Sequence, residues 1–166
     1  MKANLRTLIV FAGLIVSFNS FAVKPAPALP NQKIIYIHQT SVATVHPNSQ
    51  GALEQLGDLV VTSGTLSATE DGPSIGSYNT QKTVIGFNGI NAIRSNLVFF
   101  NITGEGRFNG TLYVEGVNET TKGQTHAAKT QRPIIGGTGR YTAARGSVET
   151  ESLSDVLLKA TFSFYR

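Results

Sequence analysis

Gly136-Gly137-Thr138-Gly139-Arg140-Tyr141-Thr142-Ala143-Ala144-Arg145-Gly146 decides how this chain is read. Three glycines in four residues make a tight turn, because glycine reaches backbone angles that side chains forbid. The turn opens into a segment carrying Arg145 between Ala144 and Gly146. A planar cation with such small neighbours has its head within reach of a pocket, a partner or water.

Outward from that turn, short runs rich in Val, Ile, Thr, Phe and Tyr alternate with Gly, Asn, Asp and Pro. Strands are expected over Lys33–Thr40, Asp58–Leu66, Ser74–Phe87, Ala92–Thr103, Arg107–Gly116, Thr125–Ile135, Arg140–Glu149 and Val156–Tyr165. Asn88-Gly89 and Gly104-Glu105-Gly106 between them are hairpin signals. A helix is weakly indicated only at Ser49–Leu56. The fold class is therefore all-β. Eight strands with short turns predict a closed antiparallel up-and-down barrel, since closure removes exposed edges. A two-sheet sandwich is the alternative.

In the last strand Val156, Leu158, Ala160, Phe162 and Phe164 share one face, a continuous core stripe. The first strand is apolar on both faces, Ile34 and Tyr36 on one and Ile35 and Ile37 on the other. Its outer face needs cover, and subunit contact is one way to supply it. The polar third strand, with Ser77, Asn79, Gln81 and Thr83, points to a wet pocket.

The first 22 residues combine Lys2 and Arg6, an apolar run from Leu8 to Val16 and the small-x-small site Ser20-Phe21-Ala22. That is the pattern of a secretory signal peptide, and the run falls short of the ~20 residues that span a bilayer. A linker with three prolines follows over 23–32, and one domain over 33–166. Secretion, extracellular or periplasmic, with no membrane attachment after cleavage, is the expectation. The chain carries 14 basic and 10 acidic residues, a net charge of +4. Loss of Lys2 and Arg6 with the leader reduces this further. No basic block appears, so nucleic acid is not an expected partner. With no cysteine, thiolate metal sites and disulfides are excluded, and the domain must be held by its core. His38, His46 and His126 show no metal-ligand spacing.

Several runs together resemble the plant dirigent proteins. They are Tyr36-Ile37-His38-Gln39, then Gly57-Asp58-Leu59-Val60-Val61, then Gly72-Pro73-Ser74-Ile75-Gly76. Phe108-Asn109-Gly110-Thr111-Leu112-Tyr113 and the stretch from Pro133 through Gly146 complete the series. The resemblance runs from about Lys33 to the end, and the closing motif carries most of its specificity. It implies an eight-stranded barrel of the allene oxide cyclase type. It also implies a secreted dimer or trimer, no metal or organic cofactor, and a ligand held in the barrel mouth. Plant members steer the coupling of phenoxy radicals or act on quinone methides. Carboxylates, an arginine and a tyrosine do their acid–base work.

Carried over residue by residue, the family's arginine is matched by Arg145. Gln39 stands where many members have an acid, Arg140 where many have an aspartate, and Asn96 near the place of the tyrosine. The acids therefore do not come over with the barrel, and Gln39 cannot titrate. The expected site residues are Arg145 for catalysis, with Tyr36, His38, Gln39 and Tyr113 as ligand contacts. For Arg145, pairing with a neighbouring carboxylate stands beside ligand contact as an open alternative. Asp58 or Glu115 beside Arg145 would supply the missing acid. The function expected is binding of a small apolar or aromatic ligand, phenolic or oxylipin-like, with guidance of its coupling or cyclisation. The alternative is a non-catalytic binding or assembly barrel.

Overall fold

The computed structural model describes residues 32–47, 54–104, 106, 109–121 and 127–165. The leader and nearly all of the linker lie outside these residues, as does most of the helix expected at Ser49–Leu56. Gln55 and Leu56 within that span are turn and flank rather than helix.

Eight strands close into an antiparallel barrel in chain order, the last pairing with the first. They are β1 (Gln32–Val45), β2 (Leu59–Ser67), β3 (Ser74–Asn88), β4 (Asn91–Ile102), β5 (Gly110–Thr121), β6 (Lys129–Gly137), β7 (Gly146–Ser152) and β8 (Leu157–Phe164). The expected barrel is thus the observed one, and the sandwich is not. The alternation seen in the sequence carries the burial: Leu158, Ala160, Phe162 and Phe164 point inward, as do Ile35 and Ile37. A strand buried on one face needs only this period-two pattern to fix its register.

The Gly136–Gly146 stretch closes one end of the barrel. Strand β7 begins later than expected, because Gly139–Tyr141 form a 3-10 turn that folds Tyr141 under the end. Gly139 has φ +56°, and a Cβ there would lie 2.9 Å from the Asn109 carbonyl oxygen. Tyr141 is buried and stacks on Phe164 with ring centroids 6.2 Å apart. Phe164 stacks on Phe162, which meets Phe100 edge-on at 4.9 Å. This end is an aromatic and aliphatic plug of the kind that dominates core energetics.

The seams are unequal. β4 and β5 pair over twelve residues from Asn91↔Thr121 to Ile102↔Gly110. β5 and β6 pair only at Leu112↔Gly137, Tyr113↔Gly136 and Val114↔Ile134. Pro133, which has no amide hydrogen to donate, sits in β6 next to where this pairing stops. The β5–β6 register is therefore regular only at the plugged end, and beyond it the strands stay side by side, where a Cβ on Gly116 would lie 3.1 Å from the Arg132 Cγ.

Candidate functional site

Away from the plug, the inward positions change character. On β3 they run Tyr78, Thr80, Lys82; on β4, from the plug outward, Phe100, Val98, Asn96, Arg94. Asn118 and Thr120 of β5 and Arg132 of β6 are buried with them. Burying groups of this kind is costly unless they are hydrogen-bonded or paired, so an apolar interior that turns charged at one end marks a site. A cavity lies there, lined among others by Tyr78, Lys82, Asn118, Thr130, Arg132 and Thr150. Its free volume is about 20 Å³. That holds one water-sized group, not an aromatic ring.

The charges are partly matched. Arg94 is 1% exposed and donates through Nη2 to the Glu54 carboxylate at 2.5 Å. Asn96 Nδ2 donates to Asn118 Oδ1 and to the Arg94 carbonyl, which locks β4 to β5 at the mouth. Burial, then the fields of Arg132 and Arg94, lower the Lys82 ammonium to a pKa of about 7, and Glu54 opposes them. Lys82 therefore changes charge near neutrality. Burial also lowers Arg132, but a guanidinium starts so high that it stays a cation. Burial pushes Tyr78 up to about 12, against the pull of Arg132 and Thr80, so its hydroxyl remains protonated.

At the rim, Asp58 is fully buried and its Oδ2 accepts from the Gln55 amide and from His46 Nδ1 at 2.7 Å. Desolvation works to raise its pKa, but the Gln55 amide and the His46 ring outweigh it and hold the carboxyl below its ordinary value. This contact ties the far end of β1 to the start of β2. Among the described residues no cluster of His, Asp and Glu is arranged to hold a metal ion.

The residues expected from the sequence are not brought together here. Arg145 lies at the plugged end, exposed, with Nη1 donating to the Ala144 carbonyl at 2.7 Å. Tyr36 and His38 occupy the outward parity of β1, and His38 Nε2 meets Ser67 Oγ at 2.8 Å. Tyr113 also faces outward and packs edge-on against Phe99 at 5.7 Å. Gln39 keeps the inward parity of Ile35 and Ile37 and sits at a β-bulge, but it does not line the cavity. Asp58 is at the opposite end from Arg145, and Glu115 is exposed. The wet pocket is real, but Ser77, Asn79, Gln81 and Thr83 do not make it. They occupy the outer face of β3, while Tyr78, Thr80 and Lys82 look in.

A family model for the Dirigent-like protein matches residues 31–164. The chain belongs to the dirigent-like family. Solved structures similar to this dirigent-like chain include a pyocyanin demethylase, at 18% identity and a TM-score of 0.63 over 81% of this chain and 99% of that one. A pterocarpan synthase dirigent protein matches at 18% identity and 0.59, over 81% and 95%. A Diels–Alderase from Streptomyces koyangensis matches at 14% and 0.58, covering 81% of this chain and 64% of that one. At such identities the likeness is one of fold. No curated protein matches by sequence. Within the dirigent-like barrel, Asn96, the residue set against the family's tyrosine, does lie inside the mouth.

Lys82, Arg94, Arg132 and Asn118 were not singled out from the sequence. Their signal was nevertheless present in the alternation. In β4 the residues two apart from Ile102 and Phe100 are Val98, Asn96 and Arg94, so a cation occupies a core-facing position. A charge on the buried parity of a strand is the feature that would have found this site.

Proposed function

We propose that this dirigent-like barrel is an exported small-molecule-binding protein that takes its ligand at the polar mouth and guides its coupling or cyclisation. One observation carries the reading. The interior is sealed by aromatics at one end and lined by Lys82, Arg132, Asn118 and Tyr78 around a cavity at the other. A barrel serving only as an assembly block gains nothing from buried cations, each of which carries a desolvation cost of several kcal/mol. Arg94 and Arg132 offer fixed positive charge. Lys82 is the interior group suited to exchange a proton near neutral pH.

Export rests on residues 1–22. No helix among the described residues is long and apolar enough to cross a membrane. Assembly as a homodimer or homotrimer rests on β1, which leaves Ile34, Val42 and Val45 exposed. A second reading keeps Arg145 as the ligand contact. It is favoured by an open groove of about 350 Å³ on the outer surface, lined by Gln131, Arg132, Pro133, Gly146, Ser147 and Tyr165. Gly146 follows Arg145 directly.

A thermal-shift screen of phenolic and oxylipin compounds separates the two sites. A compound at 100 times its Kd stabilises the native state by about 2.7 kcal/mol, a rise of several degrees. That rise is expected to vanish in Asn118→Leu and to persist in Arg145→Ala. The reverse pattern moves the site to Arg145. No shift with any compound leaves the assembly barrel as the better account.

A further inference from the structure

The mouth holds more positive than negative charge, and the surplus is local. Three cations, Lys82, Arg94 and Arg132, are each less than a tenth exposed. Glu54 is engaged by Arg94, and Asp58 by His46. Glu115 and Glu119 lie on the exposed face of β5, and Glu149 bonds Lys129 on the outside. Glu70, Asp71 and Asp155 are exposed in loops, and Glu151 alternates with the inward-facing Thr150 and Ser152. The sequence itself has no Asp or Glu in residues 48–53, between β1 and β2, or 122–126, between β5 and β6.

Arg132 is the focus. It is 8% exposed and lines the cavity, and its Nε is buried without a hydrogen-bond partner. Its Nη1 reaches Thr150 Oγ1 only at 3.4 Å, at the edge of bonding distance. Among the described residues no ion pair joins Arg132 to a carboxylate. A guanidinium so placed is a fork aimed at a planar anion. Lys82 lines the same cavity from β3, across the lumen from β6.

We propose that Arg132 and Lys82 form the seat of a carboxylate, so that the ligand of this barrel is a small organic acid. The inference rests on the reading of the mouth as a ligand site and names the class of ligand. The space of about 20 Å³ fits this division of labour. It accepts one oxygen of a head group between the two cations, and leaves the rest of the acid toward the rim. Asn118 and Thr130 line the same space and can complete the hydrogen bonds of that oxygen.

The test compares benzoate, 4-hydroxycinnamate and hexanoate with their primary amides, by calorimetry and thermal shift on the full mature protein. The amides match the acids in shape, lack the charge and put a donor NH2 where the acid has its second acceptor oxygen. At least one acid is expected to bind at least tenfold more tightly than its amide. Arg132→Met and Lys82→Met are each expected to weaken that acid at least tenfold and to bring the acid-to-amide ratio close to one. If amides bind as well as acids, or acid binding survives both substitutions, the carboxylate seat is wrong and the ligand site stands. If neither acids nor amides bind, both fall. Should a variant fail to fold, the acid-to-amide ratio on the native protein still decides.

Discussion

Gly146→Ala is expected to be among the most damaging single substitutions in this barrel, costing more than about 4 kcal/mol and lowering Tm by roughly 10 °C or more. Gly146 opens β7 and pairs with Ile134 on one side and Phe164 on the other. Its φ is +149°, a conformation that a side chain disfavours. A Cβ there would lie 2.0 Å from the Ser163 carbonyl oxygen and 3.0 Å from the Phe164 Cα. Both are backbone atoms of β8, so relief means parting the strand from its neighbour. Parting them also disturbs Phe164, which stacks on Tyr141 and Phe162 in the plug. Arg145→Ala, one residue away, is the control. It removes an exposed side chain that donates a hydrogen bond to the Ala144 carbonyl, and is expected to change stability by less than about 1 kcal/mol. Urea denaturation of both variants checks the pair. Equal, small losses would mean that the closing stretch does not fasten the barrel.

The same stretch shows what was legible in the sequence. Its glycines announced a turn between strands, and the turn is there because the chain must double back over Tyr141. The closing order of the eight strands followed from hairpin signals and from β8, where every second residue is apolar. Arg145 was harder to place. Small neighbours make a side chain accessible, but they do not say on which end of a barrel it sits. That depends on the direction of β7 and on the length of the 3-10 turn, both set by tertiary packing. Tyr36, His38 and Tyr113 were chosen for their chemistry, and their parity put them outside. Parity was also the signal that would have found Lys82, Arg94 and Arg132. Strand β3 shows why it was easy to misread. Ser77 through Thr83 alternate between two sets that are both polar, and only the pairing with β2 and β4 tells which set looks inward.

Gradation along the lumen joins the fold to the site. Aromatic packing at the plugged end is strong and ungated, so it can carry the stability of a chain without disulfides. The mouth is then free to hold groups that work against stability. The β5–β6 register is irregular at this end, beside Arg132, where a Cβ on Gly116 would meet the Arg132 Cγ at 3.1 Å. The strand thus leaves room for the guanidinium stem by omitting a side chain of its own.

Lys82→Met is expected to stabilise the unliganded protein, by on the order of a few kcal/mol near pH 6 at ~1.4 kcal/mol per pKa unit. Lys82 is 4% exposed, and burial with the charges of Arg132 and Arg94 lowers its pKa from 10.5 to about 7 in the folded state. Glu54 opposes the shift, and Tyr78 on the same strand stays neutral in this range. Below pH 7 both folded and unfolded chains carry the ammonium, and the full cost of burying it is present. Between about 7 and 10.5 the unfolded chain binds the proton and the folded one does not, so stability rises with pH. The native protein should therefore gain Tm as pH is raised from 7 toward 10. Lys82→Met should begin higher and lack this rise, because a methionine of similar length fills the site without a charge. Circular-dichroism melts of both proteins from pH 6 to 10 give the two curves. Parallel curves would show that Lys82 does not titrate in the mouth. Convergence at high pH would show that the barrel keeps, at its polar end, a cation whose burial costs stability until it loses its proton.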